Sequence, residues 1–197
     1  MVSMNDPSRL VVGISGASGV IYGVRLLEAL KTLPVETHLV MTRTAEVTLA
    51  HETDLKVAAV RGLADVAYDV DDLAAAISSG SFRTMGMVVA PCSMRSLGEV
   101  AGGISSNLLT RAADVVMKER RRLVLLTRET PLHAIHLHNM ARLAEMGVII
   151  APPVPAFYNR PRTLDDVIDH TVGRVLDLFD LDSGKVKRWG EKPGPGR

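Results

Sequence analysis

The sequence predicts a single three-layer α/β domain, with helices packed on both faces of a mostly parallel sheet. Three observations predict it. Short apolar runs rich in Val, Ile and Leu recur along the chain, and they alternate with segments of helical period. The first run also stops in a glycine-spaced turn, VVGISGASGVIYG at 11–23, before a helix begins. Strands buried on both faces read as continuous apolar runs, and parallel neighbours need crossover helices. With 197 residues, 47% of them hydrophobic and only 4% aromatic, the chain has material for one core of aliphatic side chains.

In chain order, 9–14 reads as the first strand and 20–31 as a helix with Leu26, Leu27 and Leu30 on one face, broken by Pro34. ETHLVM at 36–41 is the second strand, and the helix over 44–50 ends near Glu52, Thr53 and Asp54. That is already a βαβ unit with a right-handed crossover. Short helices are expected at 56–63 and 71–77, with the segment between them unassigned and a polar loop, SSGS, at 78–81. MGMVVA at 85–90 is a buried strand that runs into Pro91-Cys92-Ser93, where the next helix begins. A long helix at 107–120, a strand at 123–126, a helix opened by Pro131 and a last core strand at 148–151 follow. Pro152, Pro153 and Pro155 impose an extended path to Tyr158, and Thr163 caps a final helix with Asp166 three residues on. The domain is expected to span 9–190, with loose ends at 1–8 and 191–197. Trp189, in the tail, is expected to pack against a neighbouring subunit.

Composition removes several classes of function. Lys and Arg number 23 against 22 Asp and Glu, so no overall field draws nucleic acid or an acidic membrane. The run 118–122 (KERRR) sits at a helix C-terminus, where cations suit the dipole. No apolar run reaches a membrane-spanning length, and 1–9 has no signal-peptide core. The single cysteine, Cys92, precludes an intrachain disulfide and suits a reducing, cytoplasmic setting. His133, His136 and His138 share a helix without carboxylates at ligand spacing, so no metal is expected.

The residues that carry chemistry lie at strand ends. Gly13, Gly16 and Gly19 admit a ligand against bare main chain, and the helix beginning near Val20 aims its free N–H groups back at the loop. A phosphate is the natural guest there, although a purely structural turn reads the same way. The spacing is not the dinucleotide fingerprint G-x-G-x-x-G, and the second strand ends in Thr42 and Arg43 rather than in the acidic residue that holds a ribose. This counts against NAD and leaves Arg43 open for the 2′-phosphate of NADP. Ser15, Ser18, Thr42, Ser93 and Ser96 are expected to face one crevice beyond the strand ends. Arg111 and Lys118, two helical turns apart, either grip a phosphate between them or lie on a solvated face with Asp114 paired to Lys118. Arg128 and Glu129 follow a strand end and form a further candidate site.

Taken in order, GISGASGVIYG, ETD at Glu52, SSGSF at Ser78, PCS at Pro91, RAADVVMKERR at Arg111, RET at Arg128, PAFYNRP at Pro155 and RWG at Arg188 resemble the UbiX-type flavin prenyltransferases. The resemblance covers about 10–190 and implies a Rossmann-like, flavodoxin-related subunit in a homododecamer that binds FMN at subunit junctions. It implies transfer of a dimethylallyl group from dimethylallyl phosphate to N5 and C6 of reduced FMN, for use by a separate UbiD-type decarboxylase. Carried over by position, Ala17, Ser18, Gly19, Thr42, Ser93, Met94, Arg95, Ser96 and Arg128 bind FMN. Arg111, Lys118, Glu129, Tyr158 and Arg174 bind the prenyl phosphate, and Ser18, Glu52, Lys118 and Glu129 contribute to catalysis. Thr42 stands where serine is common, and Met94-Arg95 varies the loop after PCS. The competing readings are a flavin-dependent decarboxylase acting on an aromatic or cysteine-derived acid, a non-catalytic FMN-binding subunit, and an NADP-dependent reductase. The last lacks any Tyr followed by Lys four residues later.

Overall fold

A computed structural model describes residues 8–184, 186, 188 and 190. The apolar runs form β1 (Arg9–Ile14), β2 (Glu36–Met41), β3 (Val66–Tyr68), β4 (Gly86–Cys92), β5 (Arg122–Thr127) and β6 (Ile149–Ile150). Between and after them lie α1 (Ile21–Leu30), α2 (Arg43–Glu52), α3 (Val57–Arg61), α4 (Met94–Gly102), α5 (Leu108–Lys118), α6 (Ala134–Glu145) and α7 (Leu164–Asp177). The strands form one sheet in the order β3-β2-β1-β4-β5-β6, and every pairing is parallel. This is the doubly wound Rossmann order; with edge strand β3 set aside, the other five run in the flavodoxin order. In both descriptions the crossovers change direction at β1, which pairs with β2 on one side and β4 on the other.

Alternation along the strands builds two cores. Val12, Val88 and Val124 point to the face covered by α1, α2, α3 and α7. Val11, Met87 and Leu125 point to the face covered by α4, α5 and α6. Every residue of β4 is buried, as a central parallel strand requires. Asn107 and Thr163 cap α5 and α7 with reciprocal capping boxes, to Thr110 and Asp166 respectively.

Two expectations need correction, and one unassigned segment is settled. The helix expected at 71–77 is a series of turns with only a short 3₁₀ segment, Ala76–Ser78. Side-chain carboxylates win the local competition, since Asp69 accepts from the Asp71 N–H and Asp72 from the Ala74 N–H. The unassigned segment before it contains β3, whose placement is tertiary. The Asp65 carboxylate accepts from both the backbone N–H and the hydroxyl of Thr37 on β2, at 2.7 and 2.8 Å. Pro131 does not open α6; the helix starts at Ala134, with His133 as its N-cap. The tail is held to α7 through Arg188, which donates twice to the Asp177 carboxylate at 2.9 Å. Gly173 makes room for it, because a Cβ there would lie 2.4 Å from Val186 Cγ2. Trp189, 1–7 and 191–197 lie outside the described residues.

Candidate functional site

The strands β1, β2 and β4 all end at the same edge of the sheet, and each hands over to a helix whose N-terminus faces that edge. Thr42 caps α2 by accepting from the Ala45 N–H at 3.1 Å. Ser93 caps α4 by accepting from the Ser96 N–H at 3.2 Å, and its hydroxyl meets that of Ser96 at 3.1 Å. Between these ends lies a cleft of about 540 Å³, lined by Gly16, Thr42, Ser93, Met94, Arg95, Ser96 and, on its rim, Glu129. Gly16 is required there, since a Cβ would fall 2.4 Å from the Thr44 Cβ. Hydroxyls and two helix N-termini, which favour an anion, converge on this space, with Arg43 and the carboxylates of Asp71, Glu99 and Glu129 around it.

The glycine turn itself is arranged differently from the expectation. Gly19, at φ +93°, and Val20 direct their N–H groups at the Glu52 carboxylate, at 2.8 and 3.1 Å. No side chain of the turn caps α1, so an acidic residue from the last turn of α2 supplies the anion its N-terminus favours. The Gly19 and Val20 N–H groups are thus taken up by Glu52, whereas the starts of α2 and α4 border the cleft directly. Ser18 is exposed beside this contact, next to Ala17. Ser15 does not face the crevice: it is fully buried, donates to the Pro91 carbonyl at 2.8 Å and accepts from the Ser93 N–H at 2.7 Å. Its hydroxyl ties the β1 and β4 loops together. Arg43 pairs with Asp71 at the exposed edge of the cleft. Cys92 is buried, and burial pushes its thiol up to about 12, so it is no thiolate nucleophile near neutral pH.

Arg128 and Glu129 stand exposed beyond the end of β5, where the Arg128 N–H reaches the Cys92 carbonyl at 3.1 Å. The other expected phosphate ligands lie elsewhere on the chain. Lys118 ends α5 before β5 begins and Glu129 follows β5, so the strand separates them by about 17 Å. Arg111 pairs with Asp114 at 2.7 Å and Lys118 with Glu119, so Asp114 is taken by Arg111 rather than by Lys118. Arg111 also donates to the Ser78 carbonyl at 3.2 Å, so the SSGSF loop lies along α5.

Tyr158 and Arg174 belong to the opposite face, where they border a cavity of about 300 Å³ with His170 between them. The Tyr158 hydroxyl is 3.1 Å from His170 Nε2, and Arg174 donates to Asp177 at 2.6 Å. Arg188, with help from Arg174, holds the Asp177 carboxyl below the usual carboxylate range. His170 escaped the sequence reading, although its position four residues before Arg174 puts it on the same helix face. A second unread network joins β2 and β3, where buried His38 meets Glu36 at 2.8 Å and the Tyr68 hydroxyl at 2.9 Å. His133 and His136 do share a face, their rings stacked 3.5 Å apart. Among the described residues no group of three or more His, Cys, Asp or Glu gathers at metal-binding range. Among the same residues no helix is long and apolar enough to cross a membrane.

A doubly wound α/β domain with a hydroxyl-lined cleft at its switch point is the class that fold and site define. The Flavoprotein family model matches residues 2–176. The flavin prenyltransferase UbiX of Escherichia coli (strain K12) is 60% identical over 174 residues, which cover 88% of this chain and 92% of that protein. The crystal structure of AnUbiX (PadA1) in complex with FMN and dimethylallyl pyrophosphate superposes with a TM-score of 0.93 at 50% identity, over 95% of this chain and all of that one. A dodecameric FMN-dependent UbiX-like decarboxylase from Escherichia coli O157:H7 gives 0.91 at 52% identity, covering 93% of this chain and all of that one. The chain belongs to the UbiX-like flavin prenyltransferases of the Flavoprotein family.

Proposed function

We propose that this protein transfers a dimethylallyl group from dimethylallyl phosphate to N5 and C6 of reduced FMN, releasing phosphate. The observation that carries the reading is the cleft at the ends of β1, β2 and β4, in a chain of this family. Thr42, Ser93 and Ser96 with the N-termini of α2 and α4 hold the flavin phosphate, and Met94 and Arg95 line the same cleft. Ala17, Ser18, Gly19 and Arg128 border the flavin farther along the edge. When bound, reduced FMN supplies the nucleophilic N5 and the ring carbon C6.

The chain's own residues supply the rest. Loss of phosphate from an allylic carbon leaves a dianion to stabilise, which Arg111, Lys118 and Arg174 do by charge and Tyr158 by its hydroxyl. Glu129 exchanges a proton with the departing phosphate, whose second pKa is about 6. Glu52, fixed against Gly19 and Val20, and exposed Ser18 form a proton path beside the flavin. One chain leaves Lys118 and Glu129 at opposite ends of β5, and Tyr158 with Arg174 on the other face of the sheet. The complete site therefore requires neighbouring copies, in a closed homo-oligomer like the dodecameric relative. The product then serves a UbiD-type decarboxylase.

The test is anaerobic incubation with reduced FMN and dimethylallyl phosphate or pyrophosphate, followed by mass spectrometry of the released flavin. Gain of one C5 unit, with no carbon dioxide formed from aromatic or cysteine-derived acids, supports prenyl transfer. Unmodified flavin would leave only an FMN-binding subunit, and release of carbon dioxide without a partner enzyme would make the protein a decarboxylase.

A further inference from the structure

The cavity on the α7 face contains a buried polar group that neither the family motifs nor the proposed chemistry uses. His170 is 5% exposed, one helical turn before Arg174. Its Nε2 lies 3.1 Å from the Tyr158 hydroxyl, and the two rings meet edge to face with centroids 5.5 Å apart. Its Nδ1 is buried and has no hydrogen-bond partner among the described residues. A neutral imidazole has one N–H to place. On Nδ1 that proton would be a buried donor with nothing to meet, whereas on Nε2 it meets the tyrosine oxygen and leaves only a lone pair unmatched. Buried orphan donors are the rarer and costlier outcome.

We infer that His170 is a positioning residue for the prenyl-phosphate site: its Nε2–H donates to the Tyr158 oxygen, which turns the tyrosine's own proton toward the bound phosphate. The inference rests on the reading that Tyr158 contacts the donor. Tyr158 is 44% exposed at the mouth of the cavity it shares with Arg174, so a phosphate held by the guanidinium lies within reach of that hydroxyl. Burial, and then the Arg174 charge, lower the His170 pKa from its ordinary value, with Asp177 opposing them, which favours the neutral ring. A phosphate brought to Arg174 would otherwise favour the imidazolium, and burial opposes that change.

The experiment compares His170→Leu, His170→Gln, Tyr158→Phe and the Leu/Phe double variant in single-turnover prenylation of reduced FMN, with dimethylallyl phosphate varied. Loss of a hydrogen bond to a charged group raises the half-saturating donor concentration about tenfold or more. His170→Leu should show that rise with a smaller change in the saturated rate, and His170→Gln should restore much of the affinity because its amide also donates. The double variant should match Tyr158→Phe alone. Additive losses, or an unchanged His170→Leu, would overturn the positioning role. An unaffected Tyr158→Phe would instead overturn the placement of the donor phosphate at Tyr158, and the inference with it. A readout independent of turnover and of variant folding is the ¹⁵N spectrum of histidine-labelled wild-type protein. The Nε2–H tautomer is expected at His170, and the Nδ1–H tautomer would refute the assignment.

Discussion

The cleft at the ends of β1, β2 and β4 and the cationic residues at 111, 118 and 174 make an instructive contrast. The first is complete within one chain: caps, loop glycine and hydroxyls converge because a parallel sheet gathers its strand ends at one edge. The second is scattered, with Lys118 beyond the opposite end of β5 and Arg174 across the sheet. Within the chain its members pair with Asp114, Glu119 and Asp177. On the proposed reading, the flavin phosphate is held by groups of one chain, while the donor phosphate needs groups from more than one.

The sharpest way to break this contrast is to change two donor-site residues, one from the scattered set and one on the cleft rim, and ask whether flavin binding notices. Lys118→Ala and Glu129→Gln should each slow single-turnover prenylation by on the order of 10²-fold or more, with FMN affinity within about threefold of wild type. Parallel loss of flavin binding would show that the two regions are one. A converse change targets the cleft. Ser93→Asp keeps a good helix cap but sets a carboxylate against the phosphate, so FMN affinity should fall by about 10²-fold while thermal stability holds. Titration of flavin fluorescence reads the first and calorimetry the second; unchanged affinity would move the phosphate elsewhere.

A smaller effect separates site from scaffold. Burial outweighs Glu36 in lowering the His38 pKa below its ordinary 6.5. Below about pH 6.5 the unfolded chain binds a proton that the native ring resists, so stability declines as pH falls through that region. Asp65 and Asp177, held below the ordinary 3.8, keep their contribution above that pH and lose it only at more acidic values. Urea unfolding at pH 7 and pH 5.5 should show the loss, and His38→Gln should diminish it. An equal pH dependence in that variant would assign the effect to other groups.

The strands that cross the core were legible because burial on both faces leaves a continuous apolar run, as in GMVVAPC of β4. β3 was not, because three residues carry no period and the contact that fixes it joins Asp65, beside it, to Thr37, 28 positions earlier. The failed helix at 71–77 has helical composition, but the Asp69 and Asp72 carboxylates capture its N–H groups. In the site, the Thr42 and Ser93 hydroxyls were legible as lying at strand ends on one edge, but their capping of α2 and α4 was not. Nor was the Glu52 clasp on the glycine turn, since nothing in the sequence says that the end of α2 folds back on the start of α1. The same limit applies to Lys118, whose local partner Glu119 is adjacent and whose proposed role depends on another copy.

The central claim, that donor chemistry is assembled from residues of different copies, is tested most directly by mixing. Lys118→Ala and Glu129→Gln oligomers, each nearly inactive, would be dissociated, combined and reassembled, and prenylated flavin followed by single-turnover mass measurement. If the two residues meet from different chains, some sites in the mixed oligomers regain both, and activity should recover to roughly a quarter of wild type for random pairing across a two-chain site. A mixture no more active than its parents would contradict the account and place Lys118 and Glu129 in the same chain's site.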